Sequence, residues 1–163
     1  MKTFKESMIS LPEEFFTAGS IHVRPIQDDY DIWYATVECT LLPRQEENVN
    51  PAGFSLGRAY LHPENYLPCI IWKDNTRIGF ILLCRWSDGS ANSWSYYLDQ
   101  NYQGQGYGRA AAVLAIKILK TAEPTMSIKL AVEQSNKKAQ SLYRSIGLRE
   151  NGEMDGDDLV FEC

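Results

Sequence analysis

Several things are scarce in this 163-residue chain, and each shortage excludes something. Histidine occurs only at His22 and His62, too few for a histidine-rich metal centre. The four cysteines, Cys39, Cys69, Cys84 and Cys163, stand far apart and never as CxxC. They give no zinc spacing and no disulfide framework, so a reducing compartment is the simpler setting and no metal is expected. Long hydrophobic runs are missing too: the longest, Ile78 to Cys84, falls far short of the about 20 residues that span a bilayer. The first twenty residues carry Glu6, Glu13 and Glu14 where a signal peptide needs an unbroken apolar stretch, which points to a cytoplasmic protein without a membrane partner. Positive charge is also in deficit. With 16 Lys and Arg against 21 Asp and Glu, the net charge is -5 and the pI near 5.1, which argues against nucleic acid and favours a small or cationic partner. What is present, 44% apolar and 23% charged residues, is the composition of an ordinary globular chain with room for one domain.

No repeat, linker or low-complexity tract divides the sequence. Ile21 to Pro25 forms the first strand, followed by a helix in which Tyr30, Trp33, Tyr34, Val37 and Leu41 recur at helical spacing until Pro43 stops it. Gln45 to Pro63 mixes Asn, Pro, Gly and acidic residues, with a short helical stretch near Ser55 to Leu61. Cys69 to Trp72, the turn Lys73-Asp74-Asn75 and Arg77 to Trp86 make an antiparallel hairpin, and a strand follows around Ser93 to Leu98. From Gly106 to Ala122 a helix carries Ala111, Leu114, Ala115, Ile118 and Leu119 on one wide face. Ser127 to Glu133 alternates as a strand. Asn136 to Ile146 is a helix with Ala139, Leu142, Tyr143 and Ile146 on one side and Gly147 as its left-handed cap. A last hairpin turns at Asp155-Gly156. The order predicts a mixed α/β domain with an antiparallel front and a helical crossover near the end.

The most informative stretch is Leu98-Asp99-Gln100-Asn101-Tyr102-Gln103-Gly104-Gln105-Gly106-Tyr107-Gly108-Arg109, a strand that passes through a glycine-rich turn into a helix. Free N–H groups at such a helix start, backed by the positive end of its dipole, suit phosphate oxygens, and glycine lets the backbone come close. Arg109 adds a cation in the first turn. A dinucleotide fingerprint fails because Arg109 stands where a glycine is required, and a P-loop fails for want of Gly-Lys-Ser or Gly-Lys-Thr. Gly53-Phe54-Ser55-Leu56-Gly57 has the pattern of a serine-hydrolase elbow. No apolar strand precedes it, however, and the only later histidine, His62, is a few residues away. Asp155-Gly156-Asp157-Asp158 lacks EF-hand spacing and is a turn.

Gln103-x-x-Gly106-x-Gly108 after a strand resembles the Q/R-x-x-G-x-G/A motif of the GNAT superfamily of N-acetyltransferases. Asn136-x-x-Ala139-x-x-Leu142-Tyr143-x-x-x-Gly147-Leu148 is similar to the family's N-x-x-A-x-x-L-Y-x-x-x-G-F segment, with Leu148 in place of the aromatic. Val23-Arg24-Pro25 and Asp28-Asp29 resemble its opening strand and helix. The finer pattern of Asp99-x-x-Tyr102-Gln103-Gly104-Gln105-Gly106, with Glu150 to Gly156, looks like the bacterial diamine and polyamine acetyltransferases. The resemblance implies a GNAT-like, mostly antiparallel mixed sheet flanked by helices, with residues 1–20 as an N-terminal extension and 21–163 as the acetyltransferase domain. It implies acetyl-CoA as co-substrate, held by Gln103, Gly104, Gln105, Gly106, Tyr107, Gly108 and Arg109, by the strand at Tyr96, Tyr97 and Leu98, and by Asn136, Lys138 and Ala139. Tyr143 is implied as the acid that protonates the departing thiolate; its apolar helix face taken alone favours a core residue, and the combination with Asn136 and the glycine loop reverses that weighting.

Many relatives aim a carboxylate inward from the strand before the glycine loop, where this chain has Trp94, Ser95, Tyr96 and Tyr97. An amine with a pKa near 10 must still lose a proton, so a water chain to Glu133, Glu38, Glu46 or Glu47 takes that part. Glu38, Glu46, Glu47 and Trp33 are the candidates for holding a cationic acceptor. The resulting expectation is acetyl transfer to a small polyamine or diamine in a ternary complex. Peptide, amino-acid and aminoglycoside amines, a non-catalytic acyl-CoA-binding module and a homodimer stay open beside it.

Overall fold

Alternating burial defines the first long strand: Ile21 and Val23 are buried, whereas His22 and Arg24 are not. The computed structural model describes residues 1–163. Five strands, β1 (Thr17–Ala18), β2 (Ile21–Pro25), β3 (Tyr66–Lys73), β4 (Thr76–Arg85) and β5 (Asn92–Leu98), pair in that order, every neighbour antiparallel. A second sheet holds β6 (Lys129–Val132), β7 (Arg149–Asp155) and β8 (Asp158–Glu162) in the order β6-β8-β7. The two sheets meet at a single parallel bridge between Asn92 and Ile128, where the Asn92 N–H donates to the Ser127 carbonyl at 2.9 Å. Beyond that bridge β5 and β6 do not pair.

Five α-helices cover the sheets: α1 (Phe4–Ile9), α2 (Asp29–Trp33), α3 (Ala52–Leu61), α4 (Tyr107–Ala122) and α5 (Lys137–Ser145). The apolar face predicted for α4 is fully buried at Ala111, Leu114, Ala115, Ile118 and Leu119. β4 shows how the apolar run from Ile78 is used, since Ile81 and Leu83 enter the main core while Phe80 and Leu82 enter a smaller cluster on the opposite face with Tyr34, Ala35 and Ala52. The first twenty residues also feed the main core, through Phe4, Met8 and Phe16, and β1 pairs with β2. No helix is long and apolar enough to cross a membrane.

The helix predicted to run from the acidic residues to Pro43 is corrected. Its α-helical part covers only Asp29–Trp33, a π turn continues through Tyr34–Glu38, and the Cys39 N–H closes it on the Tyr34 carbonyl at 2.8 Å. The predicted apolar face is exposed at Tyr30, Trp33 and Val37, by 56%, 53% and 50%, while Asp31, Tyr34 and Ala35 turn inward. The cause is an ion pair. Asp31 meets Arg77 at 2.9 Å, accepts the Gln27 N–H at 3.0 Å, and draws its own side of the helix towards the sheet. Arg77 lies between the rings of Tyr30 and Trp72, 4.5 and 4.4 Å from their centres, which gives exposed Tyr30 a packing role.

Candidate functional site

β5 ends at buried Leu98, and the chain reaches α4 through Asp99, a single turn over Gln100–Tyr102, and Gln103 to Gly106. Gly104 and Gly106 have φ of 74° and 85°, and a Cβ on either would meet no atom within 4 Å. Backbone conformation rather than crowding therefore demands glycine here, and the space before the loop is open. Gly106 caps α4 without a side chain, and the first helical bond runs from the Ala110 N–H to the Gly106 carbonyl at 3.1 Å. The N–H groups of Tyr107, Gly108 and Arg109 thus have no partner within the helix, and they carry its positive end. Arg109 and Gln105 are exposed, and Tyr107 is half-buried under Lys73. The Gly108 carbonyl accepts the Tyr96 hydroxyl at 3.0 Å, fastening β5 to the start of α4.

α5 starts where the Asn136 carboxamide accepts the Ala139 N–H at 3.2 Å, so Asn136 acts as the helix cap. Buried Gln140 donates to the carbonyls of Glu133 and Gln134 at 3.0 and 2.9 Å and fixes the turn out of β6. Ala139 packs on the main core, whereas Lys138 and the Glu133 side chain are exposed. Tyr143 stands edge-on to Trp94, ring centres 6.0 Å apart, and leans on Phe161. Burial alone pushes its phenol up to about 12, with no hydrogen bond or charge contributing. Tyr96 is raised as well, first by burial and then by Tyr143, which places the two phenols near one another.

Alternation along β5 sends Tyr97 to the opposite face, where its hydroxyl donates to the Ala35 carbonyl at 3.4 Å. There it lines a cavity of about 370 Å³ with the π turn (Ala35, Thr36, Val37), Cys39, Thr40 and Leu41, and the entry to α3 (Val49, Pro51, Ala52, Gly53). Glu46 is the one carboxylate in the lining. Burial holds the Cys39 thiol up at about 12, so it is protonated and a poor nucleophile. Of the four residues expected to hold an acceptor, only Glu46 reaches this cavity. Glu38, Glu47 and Trp33 are exposed outside its lining.

Two ties escaped the sequence. Buried Asp99 accepts the Thr40 N–H and the Asn101 N–H, each at 2.9 Å. The amides of Gln45 and Gln103 pair reciprocally at 2.8 and 2.9 Å. These partners lie 59 and 58 residues apart, and no local pattern announces them.

The acetyltransferase (GNAT) family matches the chain over residues 22–148. No curated protein sequence matches it. Among solved structures, an acetyltransferase of Agrobacterium tumefaciens superposes with a TM-score of 0.67 at 18% identity, covering 90% of this chain and 92% of the other. RimL, a ribosomal L7/L12 alpha-N-protein acetyltransferase in complex with coenzyme A, reaches 0.60 at 13% identity over 89% and 92%. A SpeG chimera, a spermidine N-acetyltransferase from Vibrio cholerae and hSSAT, reaches 0.62 at 18% over 88% and 93%. At these identities the structures speak for the fold, and the family match covers most of the chain. With the parted strands and the glycine-led helix already described, it follows that the chain belongs to the acetyltransferase (GNAT) family and is an acetyl-CoA-dependent N-acetyltransferase.

Proposed function

We propose that the acceptor is a primary amine of a small diamine or polyamine. The observation that carries this reading is the cavity beside Tyr97: Val37, Leu41, Val49 and Pro51 suit a polymethylene spacer, and Glu46 suits one ammonium group. The SpeG chimera, named as a spermidine acetyltransferase, shares the fold and supports the choice.

The donor side suits acetyl-CoA by its own features. The N–H groups of Tyr107, Gly108 and Arg109, the open space at Gly104 and Gly106, and the Arg109 guanidinium suit pyrophosphate oxygens. The edge of β5 from Tyr96 to Leu98 has no strand beside it and offers backbone groups to an extended arm. When bound, acetyl-CoA supplies an acetyl group activated as a thioester. Tyr143 keeps its proton at Oη throughout the neutral range and is the donor for charge developing on the departing sulfur. Since β5 carries no carboxylate, Glu46 takes up the ammonium proton, directly or through water.

A polypeptide amine is the second reading, favoured by the exposed apolar side chains of Val37 and Phe54, the first in the cavity lining and the second next to Gly53 of that lining. CoA release measured with spermidine, small diamines and lysine- or amino-terminal peptides separates the two. The polyamine reading requires turnover with the first two. It also requires that Glu46→Gln lower kcat, by loss of the proton acceptor, and raise their KM about tenfold, by loss of one charge-assisted hydrogen bond, with CoA affinity unchanged. Turnover with peptides alone overturns it.

A further inference from the structure

Gln103 heads the glycine motif, yet both polar atoms of its amide are engaged within the protein. Its Nε2 donates to the Leu98 carbonyl and to Gln45 Oε1, both at 2.9 Å, and its Oε1 accepts from Gln45 Nε2 at 2.8 Å. Gln45 Oε1 also accepts the Leu42 N–H at 3.0 Å, so the same amide folds its own loop. Gln45 adjoins Glu46, the carboxylate of the cavity, and Gln103 adjoins Gly104, the first left-handed glycine of the loop. We propose that this amide pair couples the two substrate sites: Gln45 is a positioning residue through which occupancy of the glycine loop sets the wall of the acceptor cavity.

The loop from Thr40 to Val49 has few other ties. Its Gln45 N–H and Glu47 N–H bonds close local turns onto Leu42 and Arg44, and Arg44 is itself left-handed at φ 72°. It is fastened to the connection between β5 and α4 at two points. At the first, Thr40 donates to Asp99, and its carbonyl accepts the Gln100 N–H at 2.7 Å. At the second, Gln45 meets Gln103. The first tie sits on Asp99, whose carboxylate also binds Asn101, and it precedes the glycines. The second is placed where an anion would act, one residue from Gly104. A reciprocal amide pair is sensitive to displacement, because both bonds need the two planes aligned. A ligand that fixes the glycine loop therefore fixes Gln45 and with it the turn that carries Glu46. By linkage, an amine seated against Glu46 stabilises the loop for the cofactor by the same factor.

This inference rests on the family's use of acetyl-CoA and does not depend on which amine is the acceptor, so its test uses CoA alone. Hydrogen–deuterium exchange of the full chain should show CoA slowing the amides of 104–110 and, by about tenfold, those of 44–49. Gln45→Ala should keep the first protection and lose the second, while its CoA dissociation constant moves less than about threefold. A merely structural role would weaken both regions together. Gln45→Glu still accepts from Gln103 and Leu42 but cannot donate, and should fall between. If Gln45→Ala does not fold, the Glu variant decides by itself: reduced protection at 44–49 supports the coupling. Wild-type protection of 44–49 in either folded variant overturns it, as does a wild-type protein in which CoA leaves 44–49 unchanged.

Discussion

On one side of β5 lie a strand end, two left-handed glycines and a sixteen-residue helix; on the other lie a π turn, a short 3-10 turn and a left-handed arginine. The donor side places every unusual backbone angle on glycine and aims unpaired N–H groups at open space. Between the π turn and α3 the acceptor side has no α-helix or strand, and it relies on hydrogen bonds to residues 58 and 59 positions away. On the proposed placement of the two substrates, the difference reflects what each side would hold. An anionic cofactor arm is met by backbone, whose geometry glycine and a helix start fix locally. An amine is met by side chains, which any loop can carry once it is tied down.

The largest test of this contrast is Tyr143→Phe, which removes the proton of the donor side and leaves packing intact. Steady-state turnover should fall about a hundredfold or more, while CoA affinity measured by calorimetry changes less than about twofold. A fall below about fivefold would mean that the donor side binds without assisting the chemistry. The same variant has a pH signature. The folded phenol keeps its proton to about pH 12, against an ordinary value of 10.0. Above pH 10 the unfolded chain therefore binds fewer protons than the folded one. The stability that Tyr143 contributes is complete below pH 10 and is lost as pH rises through about 12. Melting of the wild type should accordingly decline more steeply than that of Tyr143→Phe across this window.

One substitution type, placed on the two sides, should change sign. Gly106→Ala forces a side chain into φ 85° and should destabilise the fold by about 1–2 kcal/mol in a denaturant melt, with weaker CoA binding. Gly57→Ala, in α3 at an ordinary helical position with nothing within 4 Å of the new Cβ, should stabilise by about 0.4–1 kcal/mol. Equal effects at the two positions would remove the distinction between a side fixed by glycine geometry and one that is not.

The same division governs what could be read beforehand. α4 and α5 announce themselves through apolar spacing and end signals: Gly106 starts one, while Asn136 caps and Gly147 closes the other, and the observed bounds fall within a residue of those expected. The glycine loop was legible because its physics is local. Tyr30, Trp33 and Val37 misled because the spacing test sees polarity but not partners. Arg77, 46 residues downstream, turns Asp31 inward and the apolar residues out. Glu46 could be picked from the charges near α2 but not told apart from Glu38 and Glu47, because only the folded loop decides which carboxylate faces the cavity. Gln45 carries no signal at all, since one glutamine in an acidic loop is indistinguishable from any other until its distant partner is known.

The π turn at Tyr34–Glu38 amounts to a helix holding one residue more than its α-helical hydrogen bonds require. Each residue added to or taken from a helix rotates the side chains beyond it by about 100°. A change of length by a single codon at this turn would therefore exchange the side chains presented around Thr36, Val37 and Cys39 in one step. The sheet, the glycine loop and Tyr143 would stay in place. With the acceptor placed in this cavity as proposed, specificity can be rewritten by insertion and deletion while the donor machinery stays the same.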